Sequence, residues 1–150
     1  HLRTRRQRQM CIRDRDKIWK NWTKHPKSEY LTSKLENGTY SMYHQQYQMA
    51  LKLFTDIIKE DPKWAEGWNK RATLLFIMGN YEKSLDDIEK VLDLEPRHFG
   101  ALSGRAQIYL SYKQYEKAID DLRKAKSIYP LIKSGENIRL IEKIIKEQQI

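Results

Sequence analysis

The chain has 150 residues, of which 39% are apolar and 33% charged, and a formal net charge of +9. That composition suits a single soluble helical domain with charged outer faces. It holds no run of about 18 apolar residues that could span a membrane and no apolar signal-peptide core near its start, and one cysteine, Cys11, can neither close an internal disulfide nor build a metal site alone.

Residues 1–15 (HLRTRRQRQMCIRDR) carry six arginines and one aspartate, so more than half of the net charge sits in a segment without hydrophobic periodicity. Two readings compete for it. It is a basic arm for nucleic acid or a membrane surface, or it is not native sequence, since QRQMCIRDR resembles translated linker or adapter sequence. On the second reading the native start, with any targeting signal, is missing, and the segment is set aside as a non-native or disordered tail. Residues 16–30 follow as an N-terminal helix and linker. Ile18, Trp19 and Trp22 predict a short amphipathic helix from Asp16 to Lys24, laid against the first hairpin. Its tryptophans either cap the domain or anchor a partner.

Residues 31–130 hold three 34-residue units, 31–64, 65–98 and 99–132. Pro62, Pro96 and Pro130 recur at an interval of 34, as do Tyr47, Tyr81 and Tyr115, and Gly38, Ala72 and Ala106. Ala50, Phe54 and Ile57 lie four and three residues apart, on one helix face, and the same face returns as Ser84, Ile88, Val91 and as Ala118, Leu122, Ala125. Each unit therefore reads as two antiparallel helices. The small residue marks a close crossing mid-way along the first. The tyrosine opens the second, and the proline, which lacks an amide donor, ends it. One such hairpin cannot bury its own apolar face, so neighbours must stack. Residues 133–150 are predicted to be a capping helix, with Ser134 as N-cap, Glu136 in the first turn and a stripe of Ile138, Ile141, Ile144 and Ile145.

These columns resemble the tetratricopeptide repeat (TPR). The middle unit, EGWNKRATLLFIMGNYEKSLDDIEKVLDLEP, places Trp68, Ala72, Gly79, Tyr81 and Pro96 on that pattern. The third keeps Ala106, Tyr109, Tyr115, Ala118, Ala125 and Pro130, and the more degenerate first keeps Gly38, Tyr47, Ala50, Phe54 and Pro62. The strings AEGWNKRAT and RHFGALSG further resemble a group of TPR proteins common in alphaproteobacteria. The resemblance implies an all-α fold: a right-handed α-solenoid of three TPR helical hairpins with an N-terminal helix and a C-terminal capping helix. The sequence leaves the compartment open: cytoplasmic or, if a lost start held an export signal as in similar proteins, periplasmic.

Nothing in the sequence announces an enzyme, a metal or a cofactor. The four histidines, His1, His25, His44 and His98, stand in no ligand pattern, and the acid pairs Asp86–Asp87 and Asp120–Asp121 recur in two units, as an exposed or ion-paired helix face does. The resemblance implies instead a protein-binding scaffold that holds a peptide or helix in its concave groove. Its lining positions fall on Leu35, Thr39, Met42 and Tyr43, on Glu66, Asn69, Thr73, Phe76 and Ile77, and on Ser103, Gln107, Leu110 and Ser111. The basic clamp of relatives that grip chaperone tails would need Lys, Asn or Arg where this chain has Leu35, Thr39, Gly100 and Gly104, so no such clamp is expected. Arg71 and Arg105 stand where the family places a buried Leu. They either pair with the aspartates of the second helices or, extended by Arg97 and His98, offer anion contacts to a partner. Nucleic-acid or anionic-surface binding, and a small-ligand accessory role, are the alternative functions.

Overall fold

The computed structural model describes Asp14, residues 16–130 and residues 135–148. The basic tail apart from Asp14, and the Ser134 cap, lie outside the described residues. Among the described residues every regular element is a helix. These are α1 (described at Asp14 and residues 16–23), α2 (Glu29–Tyr43), α3 (Tyr47–Glu60), α4 (Ala65–Ile77), α5 (Tyr81–Leu94), α6 (Phe99–Ser111), α7 (Tyr115–Ile128) and α8 (Gly135–Gln148).

The 34-residue period is written into the backbone as well as the side chains. Each first helix ends in a left-handed residue, at Gln45 (φ 60), Gly79 (φ 77) and Lys113 (φ 56). In each case the next amide reaches back to a carbonyl of the last turn: Gln46 to Ser41, Asn80 to Leu75 and Gln114 to Tyr109, all at 2.8 Å. This is a Schellman closure. Only the middle unit meets it with glycine, the residue for which a positive φ carries no steric cost. Each second helix stops before its proline. Asp61, Glu95 and Tyr129 are all extended (φ −140, −139 and −130), as the ring of a following proline requires.

The hairpins α2–α3, α4–α5 and α6–α7 stack in order, and their cores run on from one to the next. Ala50, Phe54 and Ile57 of α3 pack with Leu31, Leu35 and Met42 of α2 and with Leu74 of α4. Ile88 and Val91 of α5 share a core with Ala72 of α4 and with Ala101 and Ile108 of α6. The small-residue column lies at the crossing within each hairpin: Ala72 and Ala106 are 2% and 0% exposed, and a Cβ on Gly38 would lie 2.5 Å from the Phe54 ring. Helix α8 buries Ile138 and Ile141 against Ala118, Ile119 and Leu122 of α7, and half-buries Ile145.

Helix α1 departs from expectation. It does not lie on the first hairpin. Trp19 and Trp22 pack with Phe99, Leu102, Ala125 and Tyr129, at the start of α6 and the end of α7. The reason lies in the partners available there: Trp22 stacks on His98 with centroids 4.1 Å apart, and Trp19 meets Phe99 at 5.7 Å. The sequence spacing made the apolar face of α1 visible and left its receptor open.

Candidate functional site: the groove between α4 and α6

A cavity of about 230 Å³ opens between α4, α5 and α6. Its floor is apolar: Ala72 and Phe76 from α4, Ile88 from α5 and Ala101 from α6. Its rim is polar and uncharged: Asn69, Thr73, Ser103 and Gln107. In a chain that is 33% charged, no charged side chain among the described residues lines it. Gly104 keeps the space open. Gly100 and Gly104 lie one turn apart on α6, and a Cβ on Gly104 would rest at 3.8 Å from Ile88, an ordinary contact. An engineered apolar cavity of ~150 Å³ holds a benzene ring, so this volume has the size of one large apolar side chain.

Most rim and floor groups are already satisfied. The Thr73 hydroxyl donates to the Asn69 carbonyl at 2.9 Å, and the Ser84 hydroxyl to the Ala72 carbonyl at 2.8 Å. The Asn69 amide donates to Glu66 at 3.2 Å. Ser103 Oγ is the exception: it is buried and, among the described residues, has no hydrogen-bond partner. A buried hydroxyl in that state costs about 1–3 kcal/mol until something satisfies it.

The cavity gathers Asn69, Thr73, Phe76, Ser103 and Gln107 of the expected lining. Thr39 is half-buried, with its hydroxyl turned back to the Leu35 carbonyl at 2.8 Å, and Tyr43 is 75% exposed at the end of α2. Leu110 packs onto the α6–α8 core. Three lining expectations are corrected. Met42, like Leu35, is sealed into the first core by Phe54 and Leu74. Glu66 is 1% exposed, because His98 covers it.

The anion contacts resolve in favour of pairing within the chain. Arg71 holds Asp87 through two bonds of 2.7 and 2.8 Å, and Arg105 holds Asp121 through two bonds of the same lengths. The Asp121 hydrogen bonds raise the Arg105 pKa above its usual value against the opposing effect of burial. Each arginine has its charge matched by an aspartate and lies over an aromatic ring of its own helix, Trp68 at 5.2 Å for Arg71 and Tyr109 at 6.0 Å for Arg105. His98 is corrected as well: it is 0% exposed, so it offers no anion contact at the surface. Its Nδ1 accepts the Ala101 amide at 3.1 Å, so Nε2 carries the proton and donates to Glu66 at 3.3 Å. Arg97 is exposed in the turn before it.

Two histidine–carboxylate pairs escaped the sequence reading. One is His98–Glu66. In the other, His25 Nδ1 accepts the Lys27 amide at 3.1 Å and Nε2 donates to Asp61 at 2.8 Å, which holds the Asp61 carboxyl below the usual aspartate pKa. The partners lie 32 and 36 residues apart, and no local spacing signals either pair. Among the described residues no cluster of three His, Cys, Asp or Glu could hold a metal ion, and no helix is long and apolar enough to cross a membrane.

A stack of helical hairpins with a cavity between successive first helices defines a helical-repeat solenoid. The comparisons give the class its family. The tetratricopeptide-repeat family models match residues 65–98 and 100–130. A tetratricopeptide repeat-containing protein of Rhizobium etli is 60% identical over 53 residues, covering 35% of this chain and 26% of the relative. The Hsp70-Hsp90 organizing protein 1 of Glycine max is 34% identical over 73 residues, covering 45% of this chain and 13% of the relative. The chain thus matches about a quarter or less of the length of these curated relatives. Among solved structures, the first tetratricopeptide domain of Spaghetti (RPAP3) bound to an HSP90 peptide superposes with a TM-score of 0.74 at 19% identity, over 81% of this chain and 98% of that one. The Sgt2 domain of Aspergillus fumigatus gives 0.73 at 18%, over 81% and 83%. The chain is a tetratricopeptide-repeat protein, of the kind found in alphaproteobacteria. Neither matching family model describes an enzyme.

Proposed function

We propose that this chain is a non-catalytic interaction module that holds a peptide or helix in the α4–α6 groove, with one uncharged apolar side chain of the partner seated in the cavity. The observation that carries this reading is the pairing of an apolar floor with an unsatisfied Ser103 hydroxyl at its wall. A Leu, Met or Phe side chain fills the volume, and a backbone amide or carbonyl of the partner satisfies the hydroxyl. Two of the similar solved domains are described with chaperone peptides: one with an HSP90 peptide, the other with an Hsp70 peptide in yeast Sti1. Their peptide class does not carry over. Leu35, Thr39, Gly100 and Gly104 supply no cation for a terminal carboxylate.

The test is a peptide-display selection on the full chain, repeated on a variant carrying Asn69→Ala, Thr73→Ala and Phe76→Ala together, once circular dichroism shows that it folds. Enrichment of uncharged peptides sharing one large apolar residue, lost on the variant, supports the groove. Enrichment of acidic C-terminal tails, or equal enrichment on both chains, overturns it. Binding of nucleic acid that collapses as salt rises would move the function to the basic surface.

A further inference from the structure

Helix α1 is attached through its two tryptophans. The Trp22 carbonyl accepts the Trp64 indole N–H at 3.0 Å, and the Trp22 ring stacks on His98 at an interplanar angle of 16°. Trp19 lies against Phe99 and over Gly100, where a Cβ would come within 2.8 Å of its ring. Glycine at that position is what admits the indole. Both tryptophans stay half-buried, and Lys17, Lys20, Asn21 and Lys24 are exposed. Trp19 and Trp22 are the aromatic anchors through which α1 docks, and a short helix draws most of its stability from such packing.

We propose that the starts of α4 and α6 form a docking site for a short amphipathic helix carrying two tryptophans one turn apart, that residues 16–23 are its intramolecular occupant, and that they exchange on and off in the folded protein. His98 is the base of the site. Its ring is fixed from behind by the Ala101 amide and Glu66, so it presents a rigid aromatic face to Trp22. Gly100 belongs both to this site and to the α4–α6 cavity, so a docked Trp19 closes that end of the groove and a released one opens it. That consequence rests on the groove reading above, whereas the docking does not.

The experiment uses a fluorescent synthetic peptide of residues 14–25 and the full chain as receptor. A Trp19→Ala/Trp22→Ala receptor, folded by circular dichroism, is expected to bind the peptide saturably and at least tenfold more tightly than the unsubstituted chain, whose site is filled. A peptide carrying the same two substitutions is expected not to bind. No binding to the folded double variant, or equal binding to both receptors, overturns the proposal. Should the double variant not fold, Gly100→Ala decides. Its methyl group evicts Trp19, so trypsin should cut after Lys17, Lys20 or Lys24 at least tenfold faster while α2–α8 stay resistant. Unchanged cleavage overturns the proposal. A failed peptide selection on the groove leaves these outcomes intact, so the two readings fail separately.

Discussion

Arg71 shows how one substituted column changes the energetics of a repeat. Asp87 is 4% exposed, and its carboxylate is stable there because a guanidinium meets both oxygens. Removing one member of such a pair strands the other charge. Arg71→Met should therefore cost about 3 kcal/mol in urea denaturation, and Arg71→Met/Asp87→Leu should recover most of it. Equal losses from the single and double variants would assign the effect to packing. Asp61 makes a pH-dependent contribution. Its pKa is lowered from 3.8, first by the His25 hydrogen bond. A depressed carboxyl pKa stabilises in full above the unfolded value and ceases to do so as pH falls through the folded one. The melting temperature of the unsubstituted chain should exceed that of Asp61→Asn at pH 6, and the two should converge by pH 2. The sequence marked Arg71 and Arg105 as anomalous and named their aspartate partners among the candidates. It gave no sign of Asp61–His25 or Glu66–His98, because those contacts join residues that only stacking brings together.

At the scale of the helix, two glycines of similar appearance have opposite roles. Gly38 is in van der Waals debt to Phe54, which is 0% exposed and has nowhere to retreat. Overpacking of about 1–3 kcal/mol outweighs the gain of ~1 kcal/mol in helix propensity, so Gly38→Ala should lower stability. Gly104 meets only ordinary contact. Gly104→Ala should raise stability by up to about 1 kcal/mol and make the cavity shallower, a combination that denaturation and peptide binding measure separately. The 34-residue columns marked Gly38 as a close crossing. They did not mark Gly104, which lies off every column, and its role became visible only when α4 and α5 were placed beside α6.

The whole molecule is a stack in which each hairpin leans on its neighbours, so damage should stay local. Ile141 is 3% exposed in α8. Ile141→Ala should cost about 2–5 kcal/mol at that end. Hydrogen exchange should then quicken in α7 and α8 while α2 and α3 keep their protection. Uniform loss along the chain would mean that the array unfolds as one unit. The sequence by itself determined the repeat, its hairpins, the small-residue crossings and the proline stops, because each of these follows from contacts within one 34-residue frame. Only the tertiary structure decided that Met42 and Glu66 are buried, that Asn69, Thr73, Phe76, Ser103 and Gln107 share one cavity, and that α1 sits on α6 instead of α2. Those outcomes depend on the offset between successive hairpins and on a helix packing across more than 70 residues of chain, and a periodic sequence carries no record of either.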